Sequence, residues 1–209
     1  METEHEQKKN LIIDAAFDIF LEKGYTNAKM AEVAARAGLA KATLYDYFDS
    51  KESLFSDLLE SKAIQPYYSI LAQLDKTSTC ESRIRRFMGL EMDFLFNLFR
   101  EKNILPALLL HTEMITNASI ASATHRIIQL KFRALHALVK EGVDSGEFFG
   151  DPATATACLI GASNFYTACV FKLESGCIEL PPGSPAFPEL PESQTSFFET
   201  VFNGLRVRK

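Results

Sequence analysis

Basic and hydroxyl-bearing side chains recur at short intervals between residues 29 and 51: Lys29, Arg36, Lys41, Thr43, Tyr45, Tyr47 and Lys51. They are hydrogen-bond donors suited to an anionic polymer. If Lys41, Ala42 and Thr43 open a helix laid in the major groove of DNA, they lie closest to the base edges. There a lysine can donate to guanine O6 or N7, and a threonine can offer its hydroxyl, or its methyl to thymine. Tyr45 and Tyr47 can donate to phosphate oxygens, with packing against the first helix as the competing role. Lys29 adds a further cation, and Lys51 would stand at a helix N-terminus, where backbone amides already favour an anion. Arg36 suits either a phosphate or a solvated surface.

The charge of the whole chain does not advertise this chemistry. Its formal net charge is -5, whereas nucleic-acid-binding domains usually carry a basic excess. Across residues 1–55, seven bases face ten acids, but between Lys23 and Lys51 five bases face only Glu32, Asp46 and Asp49. The electrostatic case is therefore local.

The elements that must position these residues are helices. Leu11, Ile12, Ala15, Ala16, Ile19 and Phe20 recur on one helical face, and Gly24 follows Lys23 where a helix end favours a left-handed residue. Asn27 can cap a second short helix, MAEVAARA, which Gly38 ends. After Leu39 the run KATLYDYF predicts a third helix, with Leu44 and Phe48 turned to the core. Asp49 with Glu52 resembles a capping box for a fourth, built on Leu54, Phe55, Leu58 and Leu59. Helix, tight turn and second short helix make a helix-turn-helix between about Lys29 and Tyr47. A first domain over residues 1–50 and a second over 51–209 are expected.

Strand signals are weak throughout, and the fold class is read as all-α with about nine helices. Ile84 to Phe99 is apolar around most of its circumference and predicts a central buried helix. A helix from Pro106 to about Ile115 and another with Ile120, Ile127, Ile128, Leu135, Leu138 and Val139 on one stripe should follow. GVDSGEFFGDP breaks the chain, Pro152 opens a helix to about Leu173, residues 176–193 form a proline-rich loop, and a last helix carries Phe197, Phe198, Val201, Phe202 and Leu205.

From IIDAAFDIFLEKGY through MAEVAARAGLAKATLYDYFDSKESLF, about Ile12 to Phe55, the sequence strongly resembles the TetR family of bacterial regulators. The resemblance implies a three-helix DNA-binding domain on a helical ligand-binding and dimerisation domain, and a ligand that changes the separation of the two recognition helices in a dimer. Repression is the family's commoner habit. Ala40 stands where the family usually has Ser or Thr, and Ala28 where it often has a hydroxyl. Each removes a cap or phosphate donor, so Lys29 and Lys51 are expected to take that role.

The second domain should hold a small, largely apolar effector. Phe87, Met92, Phe94, Phe96, Phe99, Met114 and Phe132 would suit its pocket, with His111 and Gln129 as polar candidates; plain core packing is the competing role. Ala157, Gly161, Asn164 and Ala168 form a flat stripe that would let another helix approach closely, and with Phe198 and Phe202 of the last helix they are the expected homodimer interface.

Other classes find little support. GxSxG, a P-loop, HExxH and GxGxxG are all missing, so the expected protein is no enzyme and needs no cofactor. Cys80, Cys158, Cys169 and Cys177 lack CxxC spacing and a nearby His cluster, so no metal is expected. No apolar run reaches the roughly 18 residues of a membrane span, and METEHEQKKN lacks a signal's apolar stretch, so the expected place is the cytoplasm, away from membranes. An activator of the same fold, or a helix-turn-helix module that binds only protein partners, remains open beside the repressor.

Overall fold

A computed structural model describes residues 3–102, 118–174 and 192–205. The described residues are helical, with no strand, in the order α1 Glu4–Asn27, α2 Met30–Arg36, α3 Lys41–Tyr47, α4 Lys51–Leu59, a π-helical turn Glu60–Ile64, α5 Gln65–Ala72, α6 Cys80–Lys102, α7 Ala118–Asp144, α8 Pro152–Glu174 and α9 Glu192–Asn203. They divide into two compact units, one from residues 1–68 and 102–127 and the other from 69–101 and 128–209.

In the first unit α1 starts with a capping box. Thr3 Oγ1 accepts the Glu6 N–H at 3.2 Å, and Glu6 returns a carboxylate to the Thr3 N–H at 2.8 Å. Ile12, Ile13, Ala15, Ala16, Ile19 and Phe20 are its buried face. Gly24 breaks the helical geometry at φ 75°, and one further turn carries the chain to Asn27. That extra turn overturns the expected role of Asn27. Its amide donates back to the Lys23 carbonyl, while α2 is capped at Lys29, whose N–H donates to Glu32 Oε2 at 3.3 Å. Gly38, at φ 69°, makes the tight turn, and the Leu39 N–H reaches the Ala34 carbonyl at 2.9 Å. The cap of α4 is likewise one residue later than expected: Ser50 Oγ, not Asp49, accepts the Ser53 N–H at 3.1 Å.

One core joins these helices. Val33 and Ala34 of α2, Leu44 and Phe48 at α3, and Leu54, Phe55, Leu58 and Leu59 of α4 pack on the α1 face. The unit thus runs past residue 50, because α4 supplies a wall of the same core. Phe20, Tyr25 and Phe55 meet with ring centres 4.9 to 5.7 Å apart and fasten the end of α1 to α4. Beyond α4 the Gln65 N–H reaches back five residues to the Glu60 carbonyl, which widens the helix into the π turn before Pro66.

In the second unit Ile84, Phe87, Met88 and Met92 of α6, Leu135 and Val139 of α7, Leu159 of α8 and Phe202 of α9 are buried. Ile128, expected on the buried stripe, is 49% exposed, because the stripe of a long helix drifts around its axis. The GVDSGEF segment folds back to cap α6: Glu147 accepts the N–H groups of Cys80 at 2.9 Å and Glu81 at 2.7 Å. Its own N–H and that of Phe148 both reach the Gly142 carbonyl, at 2.8 and 3.0 Å. The helix expected from Pro106 and most of the proline-rich loop lie outside the described residues.

Gly142 has no space for a side chain, since a Cβ there would overlap the buried Phe148 ring. Gly142→Ala should therefore lower the unfolding free energy by about 1–3 kcal/mol, read by thermal or urea unfolding, where most glycine-to-alanine changes within a helix stabilise.

Candidate nucleic-acid interface

The seven residues of α3 have two faces. Leu44 is fully buried and Phe48, at the helix end, nearly so, which turns Lys41, Ala42 and Tyr45 outward and leaves Thr43 and Tyr47 half-buried. The Lys41 ammonium stands 5.8 Å from the centre of the Tyr45 ring, one turn along, so cation and phenol share one surface. No side chain caps α3 at Ala40, as expected from the missing hydroxyl, and a missing cap costs roughly 1 kcal/mol of helix stability. Ala28 is buried rather than available to a phosphate.

Tyr47 stacks on His5, with ring centres 4.6 Å apart and planes 30° from parallel. His5 therefore stands beside the outer face of α3. No local spacing in the sequence pointed to it, because the neighbourhood arises only when the first turn of α1 comes to lie against the end of α3.

Two expected phosphate contacts are otherwise engaged. Lys51 donates to the carbonyls of Tyr25 at 2.8 Å, Thr26 at 3.2 Å and Ala28 at 3.1 Å, and its ammonium lies 4.5 Å from the Tyr25 ring centre. An ammonium has three donors, and these carbonyls end α1, so Lys51 is a structural tie. Arg36 forms a two-pronged pair with Glu22 at 3.0 and 2.9 Å, and that hydrogen bonding holds the Glu22 carboxyl below its ordinary range. The Lys23 bond at 2.8 Å lowers Glu32 in the same way. Glu52 is lowered first by its own backbone N–H and then by the Tyr25 hydroxyl at 3.1 Å. Lys29 is exposed at the start of α2.

The residues expected around an effector fall into several places. Phe87, Met92 and Phe96 are buried, Phe94 is half-buried, Phe132 is half-buried and stacks on His136, and Gln129 is exposed. The side chain of Phe99, and His111 and Met114 altogether, lie outside the described residues. Of the expected dimer residues, Ala157, Gly161 and Asn164 are exposed and Ala168 half-buried, while Asn164 also accepts a bond from Lys131. Phe198 and Phe202 are buried within the chain itself, where α9 covers α6, and offer no surface to a partner. Among the described residues no three His, Cys, Asp or Glu side chains gather at a metal-binding spacing. No described helix is long and apolar enough to cross a membrane.

Residues 12–58, which hold the core and α3 just described, match the family model of bacterial regulatory proteins, tetR family. The likeness to the tetR family rests on that segment. The chain is 25% identical over 137 residues to the fatty acid metabolism regulator protein of Bacillus subtilis, a stretch covering 65% of the chain and 68% of that protein. It is 29% identical over 90 residues to the transcriptional activator FasR of Mycolicibacterium smegmatis, 43% of the chain and 41% of FasR. The negative regulator IcaR of Staphylococcus aureus is 43% identical over 47 residues, 22% of the chain and 25% of IcaR. In fold it resembles the regulator FadR of Bacillus subtilis, solved with stearoyl-CoA, at a TM-score of 0.71 and 19% identity over 93% of the chain and 98% of that structure. These relatives are named as transcription regulators, not as enzymes.

Lys51 and Lys41 should separate on substitution. Lys51→Met should lower the unfolding free energy by about 1.5–3 kcal/mol, the scale of hydrogen bonds made by a charged donor, and weaken every DNA equally. Lys41→Ala should leave the melting temperature unchanged and alter preference at single base pairs of the bound site. Thermal melts and titrations of single-base variants read both.

Proposed function

We propose that this regulator binds a pseudo-palindromic operator as a homodimer, represses the genes beside it, and is released by a long-chain acyl thioester. The observation that carries the DNA reading is the exposed Lys41, Ala42 and Tyr45 face of α3, backed by the buried Leu44 and Phe48. A short helix held by its apolar edge presents the other edge to a groove. Thr43 lies beside base edges, and Tyr45, Tyr47 and Lys29 meet the backbone.

Support for the effector comes from two sides. FadR of Bacillus subtilis, alike in fold, was solved with stearoyl-CoA, and the fatty acid metabolism regulator of the same organism is alike in sequence. On α6 of this chain, Phe87, Met88, Met92 and Phe96 offer the apolar surroundings that an acyl chain needs. Activation is the second reading, favoured by the likeness to FasR.

For the dimer, α8 exposes Ala157, Gly161 and, at 74%, Phe165. An exposed phenylalanine beside small residues suits close helix approach. Phe198 and Phe202 take no part in this seam.

Selection of bound fragments from a genomic pool, followed by titration with salt and with stearoyl-CoA, tests the proposal. The expected result is a palindromic site, affinity that falls steeply as salt rises, and release by stearoyl-CoA. Absence of any selected DNA, or a complex indifferent to salt, would overturn the operator reading. Increased transcription on operator binding would replace repression by activation.

Gly161→Leu tests the seam separately. A Cβ at Gly161 meets nothing within 4 Å in the single chain, so the fold should tolerate the change. The dimer dissociation constant should rise about tenfold or more in sedimentation equilibrium, the effect of overpacking a close helix contact.

A further inference from the structure

Lys131 of α7 is a charged residue in an apolar setting. It is 5% exposed, and its ammonium pairs at 2.7 Å with Glu91 of α6, itself 1% exposed. The same nitrogen donates to Asn164 Oδ1 of α8 at 2.9 Å. Phe87, Met88 and Met92 on α6 and Leu135 on α7, within about a turn of the pair, are all fully buried.

A buried ion pair is poor value as a stabiliser, because desolvating both charges offsets most of their attraction, and an apolar pair of similar volume often serves as well or better. Its presence among phenylalanines and methionines calls for another use. An ammonium carries three donors, and two are directed at Glu91 and Asn164. The third meets no partner among the described residues. A buried donor left without an acceptor costs free energy that a ligand oxygen can recover.

Charge decides which oxygen fits. Lys131 and Glu91 already neutralise each other, so a carboxylate brought to Lys131 would set a second negative charge beside Glu91 where screening is weak. A neutral carbonyl oxygen adds an acceptor without adding charge. Asn164 is exposed while Lys131 and Glu91 are not, so this polar cluster runs from the interior to the surface of α8.

We propose that Lys131, held by Glu91 and Asn164, donates its third hydrogen bond to the acyl carbonyl oxygen of the effector, and so selects a thioester or ester over a free fatty acid or an alkyl chain. This rests on the reading that the effector is an acyl thioester. Lys131 is then the polar contact at which an otherwise apolar site measures where the chain ends.

The test compares stearoyl-CoA with its thioether analogue, in which a methylene replaces the carbonyl, by calorimetric titration of the full chain. The wild-type protein should bind the thioester about tenfold or more tightly, the scale of a hydrogen bond from a charged donor. The doubly substituted Lys131→Met, Glu91→Met protein, which leaves no lone buried charge, should bind the two compounds equally. Equal binding by the wild type overturns the inference whatever the variant does, so a variant that fails to fold leaves the test intact. A preference retained in the double variant overturns it as well. Both of those outcomes leave the acyl-thioester effector standing. If neither compound binds, that reading falls and the assignment of Lys131 falls with it.

Discussion

A helix of two turns has little stability of its own, since nucleation is costly and few internal bonds repay it. Helix α3 has seven residues and no side-chain cap. It holds its shape because Leu44 and Phe48 are buried against a core that α1, α2 and α4 enclose. Everything the outer face does therefore depends on the inner one. The surrounding helices are in turn tied at their ends: by the aromatic cluster of Phe20, Tyr25 and Phe55, and by Lys51 gathering the last carbonyls of α1. The exposed edge of α3 is the outer edge of a closed core, so few residues suffice to fix its orientation.

Much of this was legible in the amino-acid order. Apolar periodicity and the two glycines located α1, α2 and α3, because Gly24 and Gly38 take up backbone angles that other residues resist. The buried and exposed edges of α3 followed from spacing. End details were less legible. Asn27 and Asp49 are both good capping types, yet Lys29 and Ser50 hold the boundaries, since an extra turn or a one-residue shift changes which side chain faces the free amides. Lys51 could have met phosphate equally well by type. Only the fold shows three carbonyls within its reach. The stacking of His5 on Tyr47 joins residues from distant parts of the chain and leaves no trace in local pattern.

The second unit was legible in class but not in use. A stretch rich in phenylalanine and methionine reads as core whether or not it also surrounds a ligand, and Phe87, Met92 and Phe96 are buried as either role demands. The dimer stripe divided along similar lines. Gly161 lies in open space, whereas Phe198 and Phe202 were claimed by their own chain, since an aromatic at helical spacing buries itself against whichever helix is nearest. Glu91 and Lys131 drew no notice among the other charges, because their burial depends on how α6 and α7 are rotated.

The π-helical turn at Glu60–Ile64 amounts to one residue more than a regular helix would hold. Tightening the turn into ordinary α-helix without losing a residue would rotate the face beyond it by about 100°, the angle one residue spans. The buried faces on either side, with Leu58 and Leu59 before the turn and Tyr67 after it, are aligned with that residue in place. The local irregularity thus acts as a phase adjustment between two stretches of one rod.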